Sequence, residues 1–302
     1  MDKIDFIGDI HGYADKLKTL LLTMGYEYTE KNGFQHPDRK VIFVGDYIDR
    51  GSENFEVVKI VRRMVASGNA IALCGNHEHN AICFNTKIRE GYLRKHSIKN
   101  FVQHASTLGE FQGKQKEYDD MIAWFKTLPL FYETEHFRVI HASWDDDSIE
   151  YLRKYTNNGV LSDNQYQELV NSEGPLNQAV EIVCKGKEKT LPQGMSFKDK
   201  DGAKRTEIRI KWWLNPQQHS LKELSIIKIK DLSEEILVND TGDFYKDDEK
   251  PVFFGHYWLE GMPELMQQNV CCLDYSVAKG GILCAYRYSG EAKLTNDNFV
   301  WV

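Results

Sequence analysis

No apolar run in this 302-residue chain approaches the ~18 residues that a membrane-spanning helix needs. Met1-Asp2-Lys3 leads straight into Ile4-Asp5-Phe6-Ile7, with no basic segment followed by a long apolar one, so no secretory leader is expected. Positive charge is in deficit. The formal net charge is −7, which argues against a general nucleic-acid or anionic-membrane surface. The six cysteines, at 74, 83, 184, 271, 272 and 284, contain no CxxC pair. Neither a disulfide framework nor a zinc knuckle is therefore expected, and the thiols fit a reduced, cytoplasmic protein. Internal repeats and low-complexity tracts are also missing. What remains is an ordinary globular composition, 41% hydrophobic and 27% charged. The length fits one large domain or two small ones at ~100–200 residues each.

The first eighty residues repeat one pattern three times. Ile4–Ile7 reads as a buried strand ending in Gly8-Asp9-Ile10-His11-Gly12. A helix follows, with Leu17, Leu20, Leu21 and Met24 on one face and Gly25 closing it. Residues 26–39 read as a loop or small hairpin. Val41–Val44 is the second strand, and it runs into Gly45-Asp46-Tyr47-Ile48-Asp49-Arg50-Gly51. The helix Glu53–Ala66 comes next, then the strand Ala70–Cys74, then Gly75-Asn76-His77-Glu78. Strands joined by helices should be parallel with right-handed crossovers, so all three polar loops fall on one edge of a sheet. That edge is where open α/β sheets bind ligands.

Farther on, residues 84–116 are polar and are expected to form helices and loops beside the site. A short helix is expected around Met121–Leu128, ended by Pro129. Phe137–Ile140 reads as a strand leading to His141-Ala142-Ser143, and Val252-Phe253-Phe254 as one leading to Gly255-His256-Tyr257. Asn269–Leu273 and Ile282–Tyr286 read as two last strands. Between His141-Ala142-Ser143 and Val252-Phe253-Phe254, residues 145–250 are the least regular stretch. Cys184 to Lys211 carries nine Lys/Arg against four acids, and Asp201-Gly202 there is a hairpin signal between Ser196–Lys200 and Ala203–Ile210. The sharper reading of this basic hairpin is an anion-attracting flap over the site; the blander one is a solvated surface.

The polar groups at strand ends are Asp9, His11, Asp46, Asp49, Arg50, Asn76, His77, His141 and His256. Oxygen and imidazole donors without thiolate suit Mn²⁺, Fe or Zn²⁺. Six ligands are too many for one catalytic metal with open positions and suit two metals sharing a carboxylate, for which Asp46 on the central loop is the natural bridge. Two metals ~3.5–4 Å apart clamp an in-line displacement at phosphorus and lower the pKa of a bridging water. Arg50 offers a planar fork for phosphate oxygens. Taken alone, the Asp46–Arg50 loop reads equally well as a solvated acidic turn; the convergence of the three loops is what argues for a site.

Gly8-Asp9-Ile10-His11-Gly12, Gly45–Gly51 and Gly75-Asn76-His77-Glu78 resemble the three signature blocks of the calcineurin-like metallophosphoesterases. Asp49-Arg50-Gly51 resembles the phosphoprotein-phosphatase branch, which includes bacterial Ser/Thr protein phosphatases and diadenosine tetraphosphatases. His141-Ala142 and Gly255-His256 match that family's later metal-binding histidines. The resemblance implies two mixed β-sheets packed face to face and flanked by helices, of which the N-terminal βαβαβ half is the part legible from periodicity. It implies Asp9, His11 and Asp46 on one divalent ion and Asp46, Asn76, His141 and His256 on the other. Mn²⁺ is the first expectation, with Fe, Zn²⁺ or Mg²⁺ as alternatives. It further implies His77 as the acid that protonates the leaving oxygen, Asp49 orienting it, and Arg50 and Asn76 on the phosphoryl group. Attack is then by a metal-bridging hydroxide, without a phosphoenzyme.

Departures from the family pattern bear on substrate choice. A second phosphate-binding arginine is expected between the two late histidines, where Arg209 and Lys211 are candidates and Arg209 is taken first. Asp145-Asp146-Asp147 would repel phosphate unless turned away, and Gly255-His256-Tyr257-Trp258 has an aromatic where bacterial relatives often carry Thr-Pro. Trp144, Trp212, Trp213 and Trp258 are expected as core or rim packing rather than as a base-stacking pocket. His36, His79 and His104 are expected as surface or hydrogen-bonded side chains, and Glu78 as a support for its loop. The chain is expected to be a single domain, 1–302, with 145–250 as an insertion or cap-like elaboration. Its expected activity is hydrolysis of phosphomonoesters on a phosphoprotein, nucleotide or small molecule, with dinucleoside polyphosphate hydrolysis as the alternative. A catalytically silent nucleotide- or partner-binding module is the alternative of another class.

Overall fold

A computed structural model describes residues 3–198, 204–229, 232, 234 and 242–302. The strands Lys3–Ile7, Arg39–Phe43 and Ala70–Ala72 lie side by side and parallel. The helices Ala14–Thr23 and Asn54–Ala66 connect them. Each helix buries the face its spacing marks, Leu17, Leu20 and Leu21 on the first and Val57, Val58, Val61 and Met64 on the second. Gly25 adopts φ +87°, the left-handed conformation that closes a helix without strain. Residues 26–39 contain a hairpin of Glu27–Thr29 and Gly33–Gln35.

This sheet grows on its far side by antiparallel strands. Ile282–Tyr288 pairs with Lys3–Ile7, and both Phe299–Trp301 and Asp274–Tyr275 pair with Ile282–Tyr288. A second, four-stranded sheet has the order Val270–Cys272, Val252–Phe254, Arg138–Ile140, Phe131–Glu133, with the first three parallel. The two mixed sheets face each other across an apolar layer of Ile4, Phe6, Ile42 and Val44 on one side and Val139, Phe253 and Cys271 on the other. Phe6 and Phe253 stack there with centroids 3.7 Å apart. Helices cover the outer faces in a larger core that includes Leu17, Val61, Phe125, Leu152 and Val180. The expected architecture is therefore present, including the second sheet.

Three sequence expectations change in detail. The stretch after residue 145 is far from irregular, since the helices Asp146–Tyr155, Asp163–Glu168 and Pro175–Lys185 occupy its opening part, up to residue 185. Each starts with a local signal: Asp145 caps Ser148, Ser162 and Gln165 form a capping box, and Pro175 opens the third. The arm Ala203–Ile210 is divided. Lys204–Arg205 pairs with Phe197–Lys198, whereas Glu207–Arg209 pairs with Glu188–Thr190. The Asp201-Gly202 turn itself lies outside the described residues. Finally, two of the three acids at 145–147 are engaged, Asp145 with Lys187 Nζ 2.6 Å from its Oδ2 and Asp146 accepting a hydrogen bond from Trp144. All six cysteines are buried and unpaired. Among the described residues no helix is long and apolar enough to cross a membrane.

Candidate metal and phosphate site

Five parallel strands aim their C-terminal ends at one place. Asp9 and His11 follow Lys3–Ile7, and Asp46, Asp49 and Arg50 follow Arg39–Phe43. Asn76 and His77 open the helix Asn76–Asn85 after Ala70–Ala72. His141 follows Arg138–Ile140, and His256 follows Val252–Phe254. The turns that make this convergence are strained. His11, Asp46, Asp49, Arg50, His256 and Trp258 all have φ between +51° and +78°, a conformation that non-glycine residues adopt at a cost and that clusters at functional sites. Glu78 holds the central turn open. Its carboxylate accepts from the backbone N–H of Asp46 (2.8 Å), Tyr47 (2.8 Å) and Gly75 (3.0 Å). Gly75 and Gly255 allow close approach, because a Cβ on them would lie 2.3 Å from Asp46 Oδ1 and 1.9 Å from Asp9 Oδ1.

The ring nitrogens are sorted by their hydrogen bonds. His11 Nδ1 donates to the Ile48 carbonyl (3.1 Å) and His141 Nδ1 to that of Val44 (3.0 Å), so each presents Nε2 inward. Those Nε2 atoms lie 3.6 and 3.4 Å from the two oxygens of Asp46. Asn76 Oδ1 is 3.0 Å from His141 Nε2 and 2.6 Å from His256 Nδ1. Asp9 accepts the His256 backbone N–H at 3.0 Å. Donor atoms of His11, Asp46 and His77 lie within 4.8 Å of one another, and so do those of Asp46, His141 and His256. Asp46 belongs to both groups.

The electrostatics describe a pocket short of positive charge. Burial, then the charges of Asp274 and Asp46, push the Asp9 carboxyl well above its usual range. Burial and Asp46 push Glu78 up to about 7. Burial holds His11 neutral, down to about 4, and burial together with Arg209 holds His256 well below the usual range. Asp46 resists burial: His141, His77 and His11 keep its carboxyl well below normal. Asp9 Oδ1, His11 Nε2 and His256 Nε2 are enclosed without any hydrogen-bond partner. Neutral imidazoles and clustered carboxylates with unused inward lone pairs are a donor set for divalent cations, and the residues present fit such ions.

Beside this cluster, His77 Nδ1 lies 2.6 Å from Asp49 Oδ2. Arg50 is exposed at the mouth, its guanidinium 5.6 Å from the Trp258 ring centroid; Lys279 Nζ is 4.4 Å from the same ring. Arg209 lies on the strand Glu207–Arg209, at the side of His256, with Nε 3.7 Å from Glu188. Trp144, Trp212 and Trp213 are core residues, as expected, but Trp258 is half-buried with its ring 5.6 Å from that of His11.

Sequence reasoning gave no site role to two titratable groups here, Asp274 and His104, the second expected only as a surface or hydrogen-bonded histidine. Asp274 is buried and accepts from the backbone N–H of Trp258 (2.7 Å) and Ser276 (3.0 Å). It follows the parallel strand Val270–Cys272, so the strand-end rule that found the others applied to it as well. His104 is buried with Nδ1 2.7 Å from Asp49 Oδ1. A single histidine on a helix carries no spacing signal.

The chain belongs to the calcineurin-like phosphoesterases, with the family match running over residues 2–272. Members of that family hold divalent metal ions, in keeping with the His/Asp groups above. Among relatives, the chain is 32% identical over 166 residues to the bis(5'-nucleosyl)-tetraphosphatase PrpE [asymmetrical] of Halalkalibacterium halodurans, covering 53% of this chain and 64% of that one. It is 25% identical over 144 residues to the symmetrical bis(5'-nucleosyl)-tetraphosphatase of Actinobacillus succinogenes, covering 47% and 44%. The chain thus spans less than two-thirds of the length of these relatives. A protein serine/threonine phosphatase from Saccharomyces cerevisiae with similarity to human PP5 shares the fold, with TM-score 0.54 and 15% identity over 100% of this chain and 79% of that one.

Proposed function

We propose that this protein is a metal-dependent phosphatase that hydrolyses phosphomonoesters. The observation that carries the reading is the shared Asp46 between two buried donor groups, with the His77–Asp49 pair alongside. Asp9, His11, Asp46, Asn76, His141 and His256 would hold two divalent ions. Their nitrogen and oxygen donors suit Mn²⁺ first, with Fe, Zn²⁺ or Mg²⁺ as alternatives. Divalent ions in such a site supply Lewis acidity toward phosphoryl oxygens and acidify water. The chain's own work is to bind, orient and protonate. Arg50 is free to fork onto phosphoryl oxygens at the mouth, and Arg209 supplies a second cation beside His256. Asn76 orients the phosphoryl group. His77 protonates the leaving oxygen, and Asp49 keeps the proton of its other nitrogen in place.

A second reading, hydrolysis of a dinucleoside polyphosphate, is favoured by Trp258. Its ring stands at the mouth between His11 and two cations, a setting for a nucleobase with a phosphate chain. The names of the relatives point the same way. Residues 145–250 are read as an elaboration of one domain. Ile149, Leu152 and Val180 join the main core, while Leu191, Ile208, Ile210, Leu221 and Leu224 form a small core of their own. Six unpaired buried thiols support a cytoplasmic setting.

The test is a substrate panel with Mn²⁺, Mg²⁺ or chelator on wild type and Asp49→Asn. Metal-dependent release of phosphate from an aryl phosphate or phosphopeptide is expected, and kcat should fall ~10²–10⁴-fold in the variant. With diadenosine tetraphosphate, turnover to two ADP or to ATP plus AMP would move the assignment to the second reading. Metal binding without turnover on any substrate would sink both and leave a silent binding module.

A further inference from the structure

The carboxylate of Asp49 is shared by two histidines. Its Oδ2 lies 2.6 Å from His77 Nδ1, and its Oδ1 lies 2.7 Å from His104 Nδ1. Thr107, one turn along the same helix Ile98–Glu110, donates its hydroxyl to Oδ1 at 2.6 Å. The array does not end at His104. The ring's other nitrogen, Nε2, is 2.9 Å from the hydroxyl of Tyr118, which in turn accepts from Asn85 Nδ2 at 2.8 Å. Asn85, Tyr118, His104, Asp49 and His77 therefore form one continuous chain of hydrogen bonds from the helix layer to the phosphate site.

Donor counting constrains the protons in that chain. Asn85 can only donate through Nδ2, so Tyr118 accepts from it and has its own proton free for His104 Nε2. Burial pushes the Tyr118 hydroxyl up to about 12, which keeps that proton on the oxygen. With the Tyr118 proton donated to His104 Nε2, the ring donates its Nδ1 proton to Asp49. With Oδ1 occupied by His104 and Thr107, only Oδ2 remains for His77. The backbone of Asp49 is fixed as well, because its N–H donates to Asn54 Oδ1 at 2.7 Å. Asp49 is consequently held on both sides of its carboxylate and at its backbone, in a left-handed turn at φ +70° that would otherwise relax.

We propose that His104, with Thr107 and Tyr118 behind it, is a positioning residue for the leaving-group acid: it locks the Asp49 carboxylate so that His77 delivers its Nε2 proton in line with the departing oxygen. The inference rests on the phosphatase reading above and adds the mount of its acid. In the step concerned, the new P–O bond to water forms as the ester P–O bond breaks. The bonding pair goes to the leaving oxygen, which takes the proton from His77 Nε2. His77 is left neutral with its proton on Nδ1, still donated to Asp49. The proton lost by the attacking water passes to solvent. His104 touches neither substrate nor the reacting atoms.

A positioning role has a signature that a structural role lacks. An alkyl phosphate has a basic leaving oxygen and depends on the acid; an aryl phosphate whose phenol is acidic scarcely does. His104→Leu should lower kcat for the alkyl substrate ~10²-fold, as misplacement of a reacting group does. The loss on the aryl substrate should be less than about threefold, with KM unchanged on both. His104→Gln can still donate to Asp49 and accept from Tyr118, so it should restore most of the loss. Thr107→Val removes the second donor to the same oxygen without disturbing the ring, and should give the same selectivity at smaller size; it serves if His104→Leu does not fold. A readout independent of turnover is the downfield N–H resonance of His77 in the metal-free protein, assigned by its absence in His77→Asn. It should broaden or move upfield in His104→Leu and return in His104→Gln.

Equal losses on alkyl and aryl substrates, or none on either, would overturn the proposal while His77→Asn stays selective for the alkyl substrate. If His77→Asn itself shows no leaving-group selectivity, the acid assignment fails and the proposal falls with it.

Discussion

At the scale of single residues, two glycines, Gly75 and Gly255, set the distance between the backbone and the carboxylates of Asp46 and Asp9. Gly255 leaves no room for a side chain, since its Cβ would come within 1.9 Å of Asp9 Oδ1 and 3.0 Å of the Asp9 carboxyl carbon. Asp9 cannot retreat, because its other oxygen accepts the His256 N–H at 3.0 Å. Gly255→Ala should therefore push Asp9 off its position while leaving the buried strand Val252–Phe254 intact. Its expected effect is a loss of ~10–100-fold in Mn²⁺ affinity, the size seen when a group supporting a metal ligand is disturbed. Calorimetric titration of the metal-free protein measures it. Gly68→Ala is the control: its φ is also positive, but a Cβ there meets nothing within 4 Å. It should bear only a small conformational cost with metal affinity unchanged.

At the scale of elements, the site depends on how one helix is started. Asn54–Ala66 has no capping side chain at its N-cap residue, Glu53. Glu110, from the end of the helix Ile98–Glu110, takes that role across space. Its Oε2 accepts from Asn54 N at 2.6 Å and Asn54 Nδ2 at 3.0 Å, and its Oε1 from Phe55 N at 3.0 Å. An anion on the first two N–H groups also meets the positive end of the helix dipole. Glu110→Ala should lower stability by about 2 kcal/mol, as loss of hydrogen bonds to a charged group does, and urea unfolding reads it. Because Asn54 Oδ1 is the nearer of two acceptors of the Asp49 N–H, with Thr107 Oγ1 the other, kcat should fall as well.

This arrangement explains what could and could not be read beforehand. The three early loops were legible because each follows an apolar strand directly, and connectivity forces them onto one edge. His141 and His256 were readable as groups at the ends of short apolar strands, but only the family resemblance tied them to the early loops, since no run of strand and helix connects them to that edge. Glu110, His104 and Thr107 act from a helix that joins the site only when the chain folds, and no local pattern announces a contact across 55 residues or more. Trp258 looked like packing because tryptophan usually is. Its backbone stands at φ +53° with its N–H on Asp274, and its half-buried ring lies beside His11 and Arg50.

At the scale of the molecule, acid should unfold the protein through ion pairs within residues 145–250 and between that stretch and the sheets. Glu133, on the edge strand of the second sheet, receives Arg138 Nε at 2.9 Å, Arg153 Nη2 at 2.6 Å and Lys250 Nζ at 3.1 Å. Partial burial pushes its carboxyl up, but the hydrogen bonds from Arg138 and Lys250 outweigh burial and hold it below the usual range. Asp145 behaves alike: burial raises it, and Lys187 together with the Ser148 cap brings it below normal. A carboxylate with a depressed folded pKa adds stability that is complete above its unfolded pKa, ~4, and is lost as pH falls through the folded value. Stability against urea should therefore be flat with respect to these two groups from pH 7 to about 5, and should decline below about 4. Glu133→Gln should be less stable than wild type at pH 7 and should lose less on acidification, so the two curves converge near pH 3. High salt should reduce the difference at pH 7, because Arg153 and Lys250 are partly open to solvent. Parallel curves for wild type and Glu133→Gln over the whole range would mean that the fold does not lean on this cluster, and that its acid sensitivity arises elsewhere.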